Sequence, residues 1–162
     1  TELYTGTVSS YPRLRDGFFS SALEELAESL AYRAFRQSRC LQTFDDMQEA
    51  SGLGLSLSMA EYLGGIMDLT GEVGRLAIRT ASKGKAGADD VRLCLACVDA
   101  VFVAVQELPY LPGGLGKKIG PLKGTLSKVE GTLYELALLS HGMRVQAPAP
   151  DAQDAADVDM DG

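Results

Sequence analysis

Two pairs of acidic residues could do chemistry in this chain. Asp68 and Glu72 stand four apart within SMAEYLGGIMDLTGEVGRLAIRTASK (58–83), and Glu25 and Glu28 stand three apart upstream of it. On a helix either spacing brings two side chains onto one face, a turn apart. No basic residue occupies 64 or 65 to neutralise Asp68 and Glu72, and like charges at that spacing oppose helix formation by a few tenths of a kcal/mol. A single acid pair usually belongs to a solvated face. Two pairs on two helices offer four carboxylates that a bundle could set side by side, and Mg²⁺, Mn²⁺ and Ca²⁺ prefer oxygen ligands of this kind. Arg36, Arg39, Arg75 and Arg79 lie a turn or more further along the same helices, where guanidinium groups could hold phosphates beside a metal.

Other motifs carry less. Cys94-x-x-Cys97 falls inside the most apolar stretch of the chain, with no second cysteine pair and one distant histidine. It cannot complete a tetrahedral zinc site, and two small buried hydrophobes are the expected reading. GGLGKK (113–118) lacks the distal glycine and the Ser or Thr of a nucleotide-binding P-loop: Leu111 and Lys118 hold those positions. Lys117 and Lys118 remain candidates for contact with a phosphate backbone. His141, the only histidine, sits near the end of a helical pattern with no evident catalytic partner, so a cation favoured by the helix dipole is expected there.

The elements that must position the acids read as helices throughout. Residues 1–17 show no periodicity and are expected to be an irregular lead-in. A first helix is expected over about 18–41, with Ser21 and Glu24 spaced as a capping box and Leu23, Leu26, Ala27, Leu30, Ala31 and Ala34 on one side. A short helical turn near 45–50 and the link SGLGLSLS follow. Ser58 and Glu61 form a second capping-box match that opens the central helix, whose polar stripe is Glu61, Asp68, Glu72, Arg75, Arg79 and Lys83. Gly84 and Gly87 suit its end. Val91, Leu93, Leu95, Val98, Val101, Phe102 and Val105 predict a helix over 89–108 buried on most sides, stopped by Pro109. A last helix follows, with Pro121 in its first turn and Leu122, Leu126, Val129, Leu133, Leu136 and Ala137 as its buried row. With no convincing strand, the fold class is all-α, an antiparallel helical bundle.

At 162 residues the chain makes one domain, over 18–145, large enough to bury a real core. The formal charge is −7, but the stretch 146–162 carries five aspartates and no base, so 1–145 is near −2. That stretch has the Pro, Ala and Asp content of a disordered acidic tail. A chain without a net basic face that handles nucleic acid needs bound metal or a basic partner. Three cysteines are too few and too odd for a disulfide framework, which points to a reducing compartment. No uncharged apolar run reaches the length of a membrane span, so no membrane is expected. Thr1 in place of Met leads us to expect a fragment of a longer chain.

YLGGIMDLTGEVGRLAIRTASKGK (62–85), followed after an apolar helix by LKGTLSKVEGTLYELAL (122–138), resembles the translin family. Asp68-Leu69-Thr70-Gly71-Glu72 is similar to the segment of its translin-associated factor X branch, where translin itself has a non-acidic variant. Glu25-Leu-Ala-Glu28, with Tyr32, Phe35, Arg39 and Leu41 behind it, resembles the family's Glu-x-x-Glu helix. The likeness covers about 11–142, although the family's two N-terminal helices are reduced here to the lead-in. It implies an all-helical subunit that assembles with translin into a hollow hetero-octamer. It also implies a Mg²⁺-dependent endoribonuclease cleaving single-stranded RNA and single-stranded DNA, active in RNA interference and tRNA-fragment processing in cytoplasm and nucleus. Mn²⁺ is a second candidate cofactor. Carried over, Glu25, Glu28, Asp68 and Glu72 are the expected metal-binding and catalytic acids, with Arg36, Arg39, Arg75, Lys117 and Lys118 the expected RNA contacts. The alternative is a non-catalytic helical scaffold partnering translin.

Overall fold

The computed structural model describes residues 17, 19–52 and 56–142. The expected lead-in, apart from Gly17, and the expected acidic tail lie outside the described residues. The described chain is helical: α1 (Ser20–Ser38), α2 (Phe44–Ser51), α3 (Met59–Ala81), α4 (Ala88–Glu107) and α5 (Ile119–Ser140), with 3-10 turns at Gly84–Gly87 and Pro112–Lys118 and no strand among these residues. The all-α bundle expected from the sequence is the observed architecture.

Local chemistry sets the helix boundaries. The Ser58–Glu61 capping box forms as expected, each side chain taking the other residue's backbone N–H. Its consequence was not foreseen: Glu61, placed on the polar stripe by spacing, is 1% exposed. A matching box at Thr43 and Asp46 opens α2. The box expected at Ser21 and Glu24 does not form, because α1 begins at Ser20 without a side-chain cap and the Glu24 carboxylate bonds to Lys118 instead. Arg39 ends α1 in the left-handed region (φ 61°), returning its N–H to the Phe35 carbonyl at 3.0 Å. Pro121 sits in the first turn of α5, where a missing N–H interrupts nothing.

The central helix is α3, which packs on α1, α4 and α5, while α4 and α5 also pack on each other. Leu23, Ala27, Leu30, Ala31 and Phe35 from α1 meet the Met67, Leu69, Val73 and Ala77 layer of α3 in one core with Val91, Val98 and Val101 of α4 and Leu122, Val129 and Leu136 of α5. Two expected burials are overturned. Helix α4 is buried along Val91, Cys94, Cys97, Val98, Val101 and Val105 only. Its apolar outer side is exposed, with Val103 46% accessible, because α3 and α5 pack on its inner side. Ala137 is exposed too, since Leu136 takes the inward position in that turn.

Candidate functional site

The acids of α1 and α3 meet because those two helices approach unusually closely. At Gly65 a Cβ would lie 2.6 Å from the Ala27 Cβ and 2.7 Å from the Glu28 backbone nitrogen, and at Gly64 it would strike the Glu24 side chain at 2.5 Å. The adjacent glycines of α3 therefore let the α1 backbone lie against it one turn before Asp68. Glycine here costs intrinsic helix stability, and the short interhelical distance is what it secures.

Glu28 is the focus of the resulting field. Burial, then the negative charges of Asp68, Glu25 and Glu72, push its carboxyl above the usual 4.5, with Arg75 acting in the opposite sense. Glu25, Glu28, Ser29 and Tyr32 of α1 and Glu72 and Arg75 of α3 line a cleft of about 400 Å³. A second hollow, about 470 Å³ and lined by Glu72, Arg75, Ile78 and Arg79, lies along α3. The four expected acids thus belong to one electrostatic neighbourhood built by two helices.

Two of them already have basic partners. Arg75 donates to Glu72 and holds its carboxyl below the usual range, helped by the charge of Arg79. Lys118 donates to both Asp68 and Glu24, at 2.6 Å for Glu24. Burial alone would lower the Lys118 pKa, but hydrogen bonds and charge from Asp68 and Glu24 hold it above the usual lysine range. Its side chain is 18% exposed. Lys118, expected to face phosphates, is thus turned inward, while Lys117 beside it is exposed.

The remaining basic residues are dispersed. Arg36 donates to the Tyr32 hydroxyl at 3.2 Å and lies over its ring. Arg39 pairs with Asp90 at 3.5 Å, tying the end of α1 to the start of α4. His141 ends α5 with Nδ1 2.8 Å from the Ala137 carbonyl, and no acid is among its hydrogen-bond partners. Cys94 and Cys97 are buried free thiols.

The donor chemistry fits a hard divalent cation: oxygen ligands only, and a carboxyl whose ionisation is opposed by three neighbours that a cation would offset. As placed, no three of the described acidic, histidine or cysteine side chains gather around one ion position. Sequence reasoning assigned Glu24 to a helix cap and missed its place beside Asp68 through Lys118. Its spacing of four from Glu28 was a usable signal. The Lys118 pairing, across 94 residues, left none.

This close-packed helical bundle with acids at the α1–α3 seam is of the translin type: residues 6–139 match the Translin family, and the chain belongs to it. Within the family it is similar to the translin-associated protein X homolog of Schizosaccharomyces pombe, 26% identical over 128 residues, 74% of this chain. The chain spans about half (53%) of that relative's length.

Proposed function

We propose that this chain is the catalytic subunit of a translin-type, Mg²⁺-dependent endoribonuclease acting on single-stranded RNA, and also on single-stranded DNA. The observation that carries this reading is the convergence at Glu28 of carboxylate charge from two helices, an arrangement unfavourable by itself and relieved by a bound cation. Glu25, Glu28, Asp68 and Glu72 would hold Mg²⁺, with Mn²⁺ as a substitute. When bound, the metal supplies Lewis acidity toward a phosphate oxygen and a water of lowered pKa. The chain's own residues do the rest. The α1–α3 contact at Gly65 fixes the separation of the two acid pairs, and the Arg75–Glu72 bond orients a guanidinium at the edge of the cleft, beside Arg79. Those two cations, with exposed Arg36, Arg39 and Lys117, would neutralise phosphates flanking the scissile bond. A translin-type partner would supply further positive charge, most economically in a hetero-octamer, and the expected sites of action are cytoplasm and nucleus in RNA interference and tRNA-fragment processing.

The test is cleavage of a labelled single-stranded RNA by the chain co-assembled with a translin subunit, in Mg²⁺ and in EDTA. Glu72→Ala and Asp68→Ala should each lower the rate by at least a hundredfold with assembly unchanged. Full activity in both variants would falsify the site. A scaffold reading is favoured by one observation, the occupation of Asp68 and Glu72 by Lys118 and Arg75. It predicts no cleavage and no Mg²⁺-dependent rise in melting temperature.

A further inference from the structure

The Lys118 ammonium stands where a cation serving Asp68 would be expected to act. It bonds Asp68 on α3 and Glu24 on α1 at once, from the turn Pro112–Lys118 that precedes α5. Three elements therefore meet at one nitrogen, on a lysine side chain only 18% exposed. Glu24 lies against Gly64, on the far side of Asp68 from Glu72 in the sequence of α3. The bond to Lys118 thus commits Asp68 to a partner away from the Glu28–Glu72 cleft, in keeping with the absence of any three-acid grouping around one point among the described residues.

Resting on the metal-site reading above, we propose that Lys118 is an internal competitor that sets the divalent-cation affinity of the site: a metal ligated by Asp68 must displace its ammonium. Two physical effects act in the same direction. The ammonium occupies a carboxylate oxygen that a metal would need, and its charge repels a second cation across a few ångströms of partly desolvated protein. Lys118 is thus a positioning residue for Asp68. Its release on metal loading would free the Asp68 carboxylate for the ion.

The experiment is Mn²⁺ binding to the full chain, read from loss of the free-ion electron paramagnetic resonance signal, in the parent, Lys118→Met, Lys118→Arg and the Lys118→Met/Asp68→Asn double variant. Lys118→Met keeps the aliphatic stem and removes the charge. It should bind Mn²⁺ tighter by on the order of tenfold, the scale expected for removing one nearby like charge. Lys118→Arg should stay at the parent value, and the double variant should lose the gain. A merely structural lysine would give weaker binding on removal, so equal or weaker binding in a folded Lys118→Met overturns the competitor role. In the parent, which requires no variant to fold, Mg²⁺ saturation should shift the Lys118 ¹³Cε resonance toward that of a solvated lysine. An unmoved resonance at saturation overturns the proposal with the metal reading intact. No saturable binding in any form sinks the metal reading itself, and the proposal with it.

Discussion

Cys97 is the residue whose protonation burial disturbs most clearly. Burial, and then the neighbouring Cys94, pushes its thiol up to about 12, and burial likewise raises Cys94. The folded state therefore keeps a proton on Cys97 that the unfolded chain releases near the ordinary value of 9.0. The sign follows: stability is fully present below about pH 9 and declines as pH rises from there toward 12. Urea denaturation between pH 8 and 11 should show this decline, with a shallower slope in Cys97→Ala. At pH 8 a thiol reagent should modify one cysteine, exposed Cys40, quickly and the other two only on unfolding. Rapid modification of all three would contradict the burial of the pair. At Glu28 the sign is the same: burial and neighbouring carboxylates raise its carboxyl, so the charged form opposes folding. Glu28→Gln relieves repulsion from Asp68, Glu25 and Glu72, so without metal it should melt slightly higher, by on the order of 0.5 kcal/mol, while losing any gain from Mg²⁺. At this scale the sequence was informative wherever partners lie within a helical turn: both acid pairs, the burial of Cys94-x-x-Cys97 and the helix-end position of His141. It assigned Lys118 to phosphates and missed its pairing with Glu24, because a contact across 94 residues leaves no periodic trace.

Helix boundaries were legible for the same local reason. The box at Ser58 and Glu61 was found because both groups belong to one turn. Glu24 matched the same pattern at Ser21 and failed, since a long-range ammonium is a stronger partner for a carboxylate than a local backbone amide. The α4 stretch misled because hydrophobicity reports what a side chain avoids, and which helices are at hand to cover it is a tertiary matter. The interhelical distances depend on glycines whose role only packing shows. Gly65→Ala places a methyl 2.6 Å from Ala27 and must push α1 from α3, so it should lower stability by roughly 1–3 kcal/mol and weaken Mg²⁺ binding together. Gly124→Ala, in α5 with nothing within 4 Å of its added methyl, should instead raise stability by about 0.5–1 kcal/mol. Thermal melts of the two variants side by side check both. A neutral Gly65→Ala would mean that the close approach is not needed.

At the scale of the molecule, the four acids divide evenly: two on α1, two on α3. Helix α1 rests chiefly on α3 and α2, and its ties elsewhere include the Arg39–Asp90 and Glu24–Lys118 ion pairs. Helix α3, by contrast, is held from three sides. Proteins open in cooperative pieces whose free energies fall short of full unfolding, and α1 is the natural piece to leave first. Such an excursion would carry Glu25 and Glu28 away while Asp68 and Glu72 stay in the remaining core. Amide hydrogens of α1 should then exchange with deuterium before those of α3, and a divalent cation bridging the two helices should slow α1 selectively. The seam between α1 and α3 would in that case work as a latch, closed by the ion it binds and open in its absence.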